Sequence, residues 1–194
     1  MHLLAKLFLY TIFLSLPFLQ GCIAAAASGA ATGASIATDR RTTGTIVDDQ
    51  SIELKATYAL SQRKELWKAS HINVICYNNV LLLVGQTPLE TYKQEAEEAV
   101  GDIAKIRQIH NEITIAEPAS LSTRSNDSWI TTQIKTKLIG NKAINAGRIK
   151  VVTEASVVYL MGITNPEEEM IATNIAQETS GVDKVVQIFE AQNT

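Results

Sequence analysis

The feature that most constrains how this chain can fold is an internal repeat. Asp49-Gln-Ser-Ile-Glu-Leu-Lys-Ala-Thr-Tyr-Ala-Leu60 is followed about 78 residues later by Asp127-Ser-Trp-Ile-Thr-Thr-Gln-Ile-Lys-Thr-Lys-Leu138. Ile52, Ala56 and Leu60 align with Ile130, Ile134 and Leu138, an i, i+4, i+8 stripe that occupies one face of an α-helix. Asp49 and Asp127 stand where an N-cap or first-turn acid belongs, facing unpaired amides and the positive end of the helix dipole.

Two strand signals follow in each copy. His71-Ile-Asn-Val-Ile-Cys-Tyr77 alternates and is β-branched; Asn78-Asn79 marks a turn, and Val80-Leu-Leu-Leu-Val84 runs on to end at Gly85. In the second copy Arg148 to Thr153 leads through Glu154-Ala155-Ser156 to Val157-Val-Tyr-Leu-Met161 and Gly162. Each pair reads as a β-hairpin. A second helix then opens with Thr87-Pro88-Leu89-Glu90 or Asn165-Pro166-Glu167-Glu168, an N-cap, an N1 proline and an acid at N3. Ala96, Ala99 and Val100 supply its apolar face in the first copy, and Ile171, Ile175 and Ala176 in the second. Glycines 101 and 181 stand near the helix ends, and last strands follow over Ile103–Ile115 and Val182–Phe189. The segment from Ala116 to Ser125 has Pro118, several serines and no apolar period, and reads as a linker.

The fold class is therefore α+β: two tandem αββαβ units, each a three-stranded sheet covered on one face by two helices. The third strand returns through a helix, so at least one strand pair in each sheet is parallel. The organisation read from the chain is a leader over 1–21, a lipidated Cys22 and tether over 22–45, one domain over 46–115, the linker over 116–125 and a second domain over 126–194.

The leader is set apart by composition. Leu7 to Phe18 is an apolar run after Lys6, the length of a signal-peptide core and too short to span a bilayer as a helix. It ends in Leu19-Gln20-Gly21-Cys22, which resembles a bacterial lipobox; a plain signal peptide with an incidental Cys22 is the competing reading. The resemblance implies acylation of Cys22, and Ile23 in place of the aspartate that retains such proteins in the inner membrane implies the outer membrane, on its periplasmic face. Several acyl chains anchor stably, at about 0.8 kcal/mol per buried methylene.

The tandem αββαβ pattern, the strand-end glycines, the helix-starting prolines and Gly181-Val182-Asp183-Lys184-Val185 resemble BON domains, and a lipobox before two of them resembles the dual-BON outer-membrane lipoproteins. Ser125 to Leu138 and Asn111-Glu112-Ile113 are especially similar to that family. The first copy departs from its glycine–valine pattern, with Gly101-Asp102-Ile103, so its helix-to-strand turn is expected to differ. The resemblance implies a role in envelope integrity, concentration at the division site, and binding of anionic phospholipid through the second domain.

Nothing in the sequence assembles a catalytic or metal site. No nucleophile elbow, P-loop, dinucleotide fingerprint or zincin motif occurs in it. His71 and Cys76 are five apart on a strand, so they point to opposite faces. Cys76 reads as a small buried hydrophobe and His110 as an ordinary strand residue. A net charge of −3 and 6% aromatics speak against coating nucleic acid or stacking bases. The expectation is a monomer, not an enzyme, with no cofactor, no metal and no nucleic acid partner.

One charge pattern stands out. Between Arg124 and Lys150 six basic residues face one acid, Asp127, whereas seven acids and one lysine follow from Val151 to the end. On the helix in that basic stretch, Trp129, Thr132, Gln133 and Thr136 share a face turned away from the Ile130–Leu138 stripe, at about 100° per residue. An outward Trp among small polar residues fits an interfacial anchor, and bases near an anionic bilayer contribute about 1 kcal/mol each. Ser128, Trp129, Thr132, Gln133, Lys135, Thr136 and Lys137 are the candidate phospholipid-binding residues. Packing of Trp129 against the other domain and mere exposure are the competing readings. The partner expected is an anionic phospholipid membrane; the alternative is an adaptor that binds envelope proteins of outer-membrane assembly or peptidoglycan remodelling without direct lipid recognition. Ser51 takes the place of Trp129 in the first copy, so the first domain is the one expected to pack or to contact proteins.

Overall fold

The computed structural model describes residues 39–192; the leader, Cys22 and most of the expected tether lie outside the described residues. The element order is α1 (Thr43–Gln62), α2 (Lys64–Ala69), β1 (His71–Tyr77), β2 (Val80–Thr87), α3 (Glu90–Gly101), β3 (Gln108–Ile115), α4 (Leu121–Gly140), a 3-10 turn (Ala146–Arg148), β4 (Lys150–Glu154), β5 (Val157–Thr164), α5 (Pro166–Gln177) and β6 (Lys184–Ala191). There are two separate three-stranded sheets, β1-β2-β3 and β4-β5-β6. In each the hairpin is antiparallel and the strand returning from the helix pairs parallel with the middle strand, as the αββαβ reading requires.

Three apolar cores hold Asp39–Thr194 together as one compact unit. The stripe Ile52, Ala56, Leu60 packs on Leu81 and Leu83 of β2, with Ala96 and Val100 of α3. Ile130, Ile134 and Leu138 pack likewise on Val158 and Leu160 of β5, with Ala172 and Ala176 of α5. The third core lies between the sheets: Val80, Leu82 and Val84 of β2 meet Tyr159 and Met161 of β5, with Ile75, Tyr77 and Ile188. Each middle strand is therefore buried on both faces, which is why Val80–Val84 and Val157–Met161 read as unbroken apolar runs rather than alternating ones. The sheet face left open in the sequence reading is covered by the other repeat. The seam also carries polar ties, with the Asn73 and Gln86 side-chain amides donating to the buried Glu154 carboxylate at 2.7 and 2.9 Å.

Several boundaries move from their expected places. Helix α1 starts at Thr43, with the Thr42 hydroxyl accepting from the Thr45 amide at 3.0 Å, so the tether stops short of residue 45. Asp39 to Arg41 are tied down too. Arg40 donates to the Ile163 carbonyl (2.7 Å) and pairs with Glu168 of the second repeat, while Arg41 pairs with Asp49 (2.9 Å) of the first and stacks over the Tyr77 ring at 3.9 Å. Helix α4 starts at Leu121, capped by Ser120, which shortens the linker to a few residues. A short helix, α2, burying Leu66, sits in the first copy where no element was expected.

Asp49 and Asp127 are not helix caps. Each lies in the seventh position of a helix that starts earlier than expected, and each is buried. Both carboxylate oxygens accept amides of the adjacent hairpin turn: Asn78 and Asn79 donate to Asp49 at 2.8 and 2.7 Å, and Ala155 and Ser156 donate to Asp127 at 2.9 Å each. All four turn residues have positive φ, the two-residue hairpin geometry that matches strand twist. That geometry turns two neighbouring amides toward the helix, and the aspartate satisfies both.

The glycines at 85 and 162 are inside their strands, not at the ends. A Cβ at Gly85, whose φ is +129°, would meet the His71 carbonyl oxygen at 1.9 Å; at Gly162 it would meet that of Arg148 at 2.7 Å. Thr87 does not cap the next helix. It is buried at the end of β2 and accepts from the Ser70 hydroxyl at 2.9 Å, and α3 starts at Glu90 without a side-chain cap. Asn165 does cap α5, in a capping box with Glu168 and with Pro166 in the first turn. The helix-to-strand turns differ as the sequence implies: Gly181 takes positive φ in the second copy and Lys105 does so in the first. The last strands start later than expected, at Gln108 and Lys184.

Candidate functional site

Helix α4 has three distinct faces. Asp127, Ile130, Ile134 and Leu138 are buried against β5 and α5. About 180° away, Leu121, Trp129 and Ile139 are 78%, 63% and 75% exposed, with Ser125, Thr132 and Thr136 exposed between them. Those six residues form one line along a 20-residue helix, about 30 Å long. The Thr132 and Thr136 hydroxyls donate to the carbonyls of Ser128 and Thr132, four residues back, at 2.8 Å each. Their polar groups are thereby folded onto the helix and their methyls left outward.

The remaining candidates flank that line. Lys137 lies on one side, exposed, its ammonium donating to the Thr179 hydroxyl at 2.9 Å, and Gln133 on the same side is half-buried rather than outward. Ser128 and Lys135 lie on the other side. Burial of the Lys135 stem, then the neighbouring Lys150 charge, lowers the Lys135 pKa, which places two lysines close together without a described carboxylate to balance them. Arg148, also in the basic stretch, pairs with Glu168 at 3.2 Å.

Leu121 and Ile139 were missed in the sequence. Leu121 fell in the expected linker, and Ile139 lies off the core stripe; extending the 3.6-residue period one turn beyond each end of the motif is the signal that finds both. Trp129 does not pack into the seam between the repeats, whose core is built from the strands. Cys76 is buried on the helix side of β1 and its thiol donates to Asp49 Oδ1 at 3.3 Å; burial first, then the Asp49 charge, pushes that thiol well above its ordinary range. It is an inert core residue.

Residues 48–117 and 126–192 each match the BON domain model. The chain is 36% identical over 173 residues, 89% of its own length and 90% of the relative's, to an outer membrane lipoprotein DolP of Haemophilus influenzae. It is 37% identical over 151 residues, 78% of each chain, to a 21 kDa hemolysin of Actinobacillus pleuropneumoniae. It is 25% identical over 145 residues, 73% of this chain and 72% of the other, to the osmotically-inducible protein Y of Escherichia coli. None of these three is named as an enzyme, and no helix among the described residues is long and apolar enough to cross a membrane.

Proposed function

This chain belongs to the BON-domain family as a tandem member similar to outer-membrane lipoproteins, and from that premise we propose that it is anchored through Cys22 to the periplasmic face of the outer membrane and binds anionic phospholipid through α4, supporting envelope integrity at the division site. The observation that carries the reading is the exposed line Leu121, Trp129, Ile139 opposite the core, with Lys135 and Lys137 on its two flanks. A helix lying flat on a bilayer places an amphipathic ring at the headgroup level and lysines beside it. The long-range attraction is electrostatic and salt screens it.

Sedimentation of the Asp39–Thr194 unit with vesicles tests this. It is expected to bind phosphatidylglycerol-containing vesicles and not neutral ones, and Trp129→Glu is expected to remove binding with an unchanged circular dichroism spectrum. Undiminished binding by that variant would sink the reading.

A second reading has its own support. The outer face of α1 exposes Val47, Leu54 and Tyr58 with no lysine cluster beside them, as a protein-contacting surface would. Both repeats then act at the membrane, one holding lipid and one holding an envelope protein; crosslinking from Tyr58 replaced by a photoreactive residue tests it.

A further inference from the structure

A cleft of about 460 Å³ opens beside α4, lined by Arg124, Asp127, Ser128 and Thr131 of that helix, Val151 to Glu154 of β4, and His71 and Asn73 of β1. It lies where the second repeat meets the first, so both contribute walls. Its carboxylates already have partners. Both oxygens of Asp127 accept the Ala155 and Ser156 amides, and both oxygens of Glu154 accept the Asn73 and Gln86 side-chain amides. The Thr131 hydroxyl donates to Thr153 at 2.7 Å, and that of Ser128 to the Arg124 carbonyl at 2.9 Å.

Arg124 is the exception. Its side chain is half-buried, its Nε is fully buried, and that N–H has no acceptor among the described residues. A guanidinium offers five donors in a planar fork matched to oxyanions, and a buried donor left unpaired is costly. Such a group is stable where a ligand supplies the acceptors.

We propose that this cleft binds one phosphodiester group, gripped by the Arg124 fork, with the His71 ring and the Asn73 and Ser128 side chains around its ester substituents. The proposal rests on the phospholipid reading of α4 and names the part of the lipid that is recognised. A phosphodiester carries a single negative charge and the Arg124 guanidinium a single positive one, so the pair balances where a phosphomonoester dianion would not. The lipid, rather than free phosphate, is the source because of what adjoins the cleft. Ser128 on its wall is the neighbour in sequence of Trp129, so a headgroup held at Arg124 leaves its acyl chains beside the exposed apolar line. Arg124, Ser128, Thr131 and Lys135 follow one another at i, i+4, i+7 and i+11, a single stripe along α4. It ends at the Lys135–Lys150 pair, which draws anions along the same flank.

The test reads Arg124 directly, through its Nε–Hε resonance in the Asp39–Thr194 unit, while sedimentation with phosphatidylglycerol–phosphatidylcholine vesicles is measured in parallel. Glycerophosphoglycerol, a soluble phosphodiester without acyl chains, is expected to move that resonance at millimolar concentration. Arg124→Gln is expected to weaken vesicle binding about tenfold, the loss of charge-assisted hydrogen bonds, and Arg124→Lys to weaken it less. Trp129→Ser is expected to weaken vesicle binding by about tenfold to a hundredfold while keeping the response to glycerophosphoglycerol. An unmoved Arg124 resonance in a protein that still binds vesicles overturns the cleft and leaves the α4 surface standing. A moved resonance in a protein that binds no vesicles upholds the phosphodiester site and overturns the phospholipid reading instead. An equal response to inorganic phosphate, with vesicle binding indifferent to Arg124→Gln, overturns the lipid as the source. Because the resonance is read in the parent protein, a variant that fails to fold does not remove the test.

Discussion

Helices α1 and α4 are the same element built twice, and they agree on one side only. Their inner faces correspond residue for residue: Asp49 with Asp127 at the hairpin, then Ile52, Ala56 and Leu60 with Ile130, Ile134 and Leu138 in the cores. Their outer faces are near-inverses. Val47, Ser51, Leu54 and Tyr58 on α1 stand against Ser125, Trp129, Thr132 and Thr136 on α4. Where one helix has apolar residues the other has small polar ones, and the single Trp stands where the first has Ser. Charge follows the same division, with Asp48, Glu53 and a single lysine, Lys55, on α1 against Arg124, Lys135 and Lys137 on α4. Packing fixes the inner face in both copies because the sheet beneath is the same. The outer face carries no such constraint, so it is where two copies acquire two tasks.

The largest expected effect breaks the equivalence of the inner faces. Gly85→Ala places a Cβ at 1.9 Å from a backbone oxygen, with φ in the region L side chains rarely adopt, whereas Gly162→Ala makes the same kind of contact at 2.7 Å. Backbone cannot yield as a flexible side chain does, so Gly85→Ala is expected to leave little folded protein. Gly162→Ala is expected to fold with a cost of about 1–3 kcal/mol, read by urea denaturation.

The hairpin aspartates come next. Asp127→Ala leaves the two hairpin-turn amides without their acceptor and is expected to cost about 1–3 kcal/mol. Asp49→Ala is expected to cost more, because Asp49 also pairs with Arg41 at 2.9 Å and accepts the Cys76 thiol. Equal midpoints in thermal denaturation would show that the extra partners of Asp49 contribute nothing.

Moving the aromatic between the copies sharpens the comparison of outer faces. Trp129→Ser is expected to reduce affinity for anionic vesicles by about tenfold to a hundredfold, the loss of one buried aromatic. Adding Ser51→Trp to that variant is expected to restore little of it, since α1 sets a single lysine, Lys55, against the acids Asp48 and Glu53. Recovery in the vesicle assay would mean that the ring alone makes the surface and that the basic flank is dispensable.

How much of this was legible follows from the same division. The repeat, the hairpins and the parallel third strands rest on apolar periodicity and turn signals that local sequence carries, and the family on the motifs it resembles. The exposed position of Trp129 followed from its angle to the Ile130 stripe. Three kinds of feature were out of reach. The turn-capping role of Asp49 and Asp127 depends on a hairpin about 30 residues away, so each aspartate looked like the cap of a helix that in fact starts six residues earlier. The face-to-face packing of the sheets has only one sequence signal, the unbroken apolar runs of β2 and β5, and such a run does not say what covers it. The cleft at Arg124 joins β1 to α4 across the repeats, a juxtaposition set by the seam alone.

The smallest expected effect concerns two adjacent residues that treat the repeats differently. Arg41 grips the first repeat through Asp49 and Tyr77, and Arg40 grips the second through Glu168 and the Ile163 carbonyl. Burial raises the Glu168 pKa, but the hydrogen bond from Arg40, the Asn165 amide and Arg148 together outweigh it, so the carboxyl titrates below its ordinary value. A depressed carboxyl pKa stabilises the fold at a pH above the unfolded value, about 4.3, and that contribution is lost as pH falls through the depressed value. Arg40→Ala leaves Arg148 in place and so weakens the depression without abolishing it. The expected cost is about 1–2 kcal/mol at neutral pH. The gap between parent and variant in urea denaturation is expected to narrow as pH drops below 4, because protonated Glu168 no longer discriminates between them. Arg41→Ala removes a cation from Asp49, whose amide partners remain, and measures the grip on the first repeat at neutral pH. A gap for Arg40→Ala that stays constant from pH 7 to pH 3 would assign its contribution to the neutral bond with the Ile163 carbonyl rather than to the ion pair.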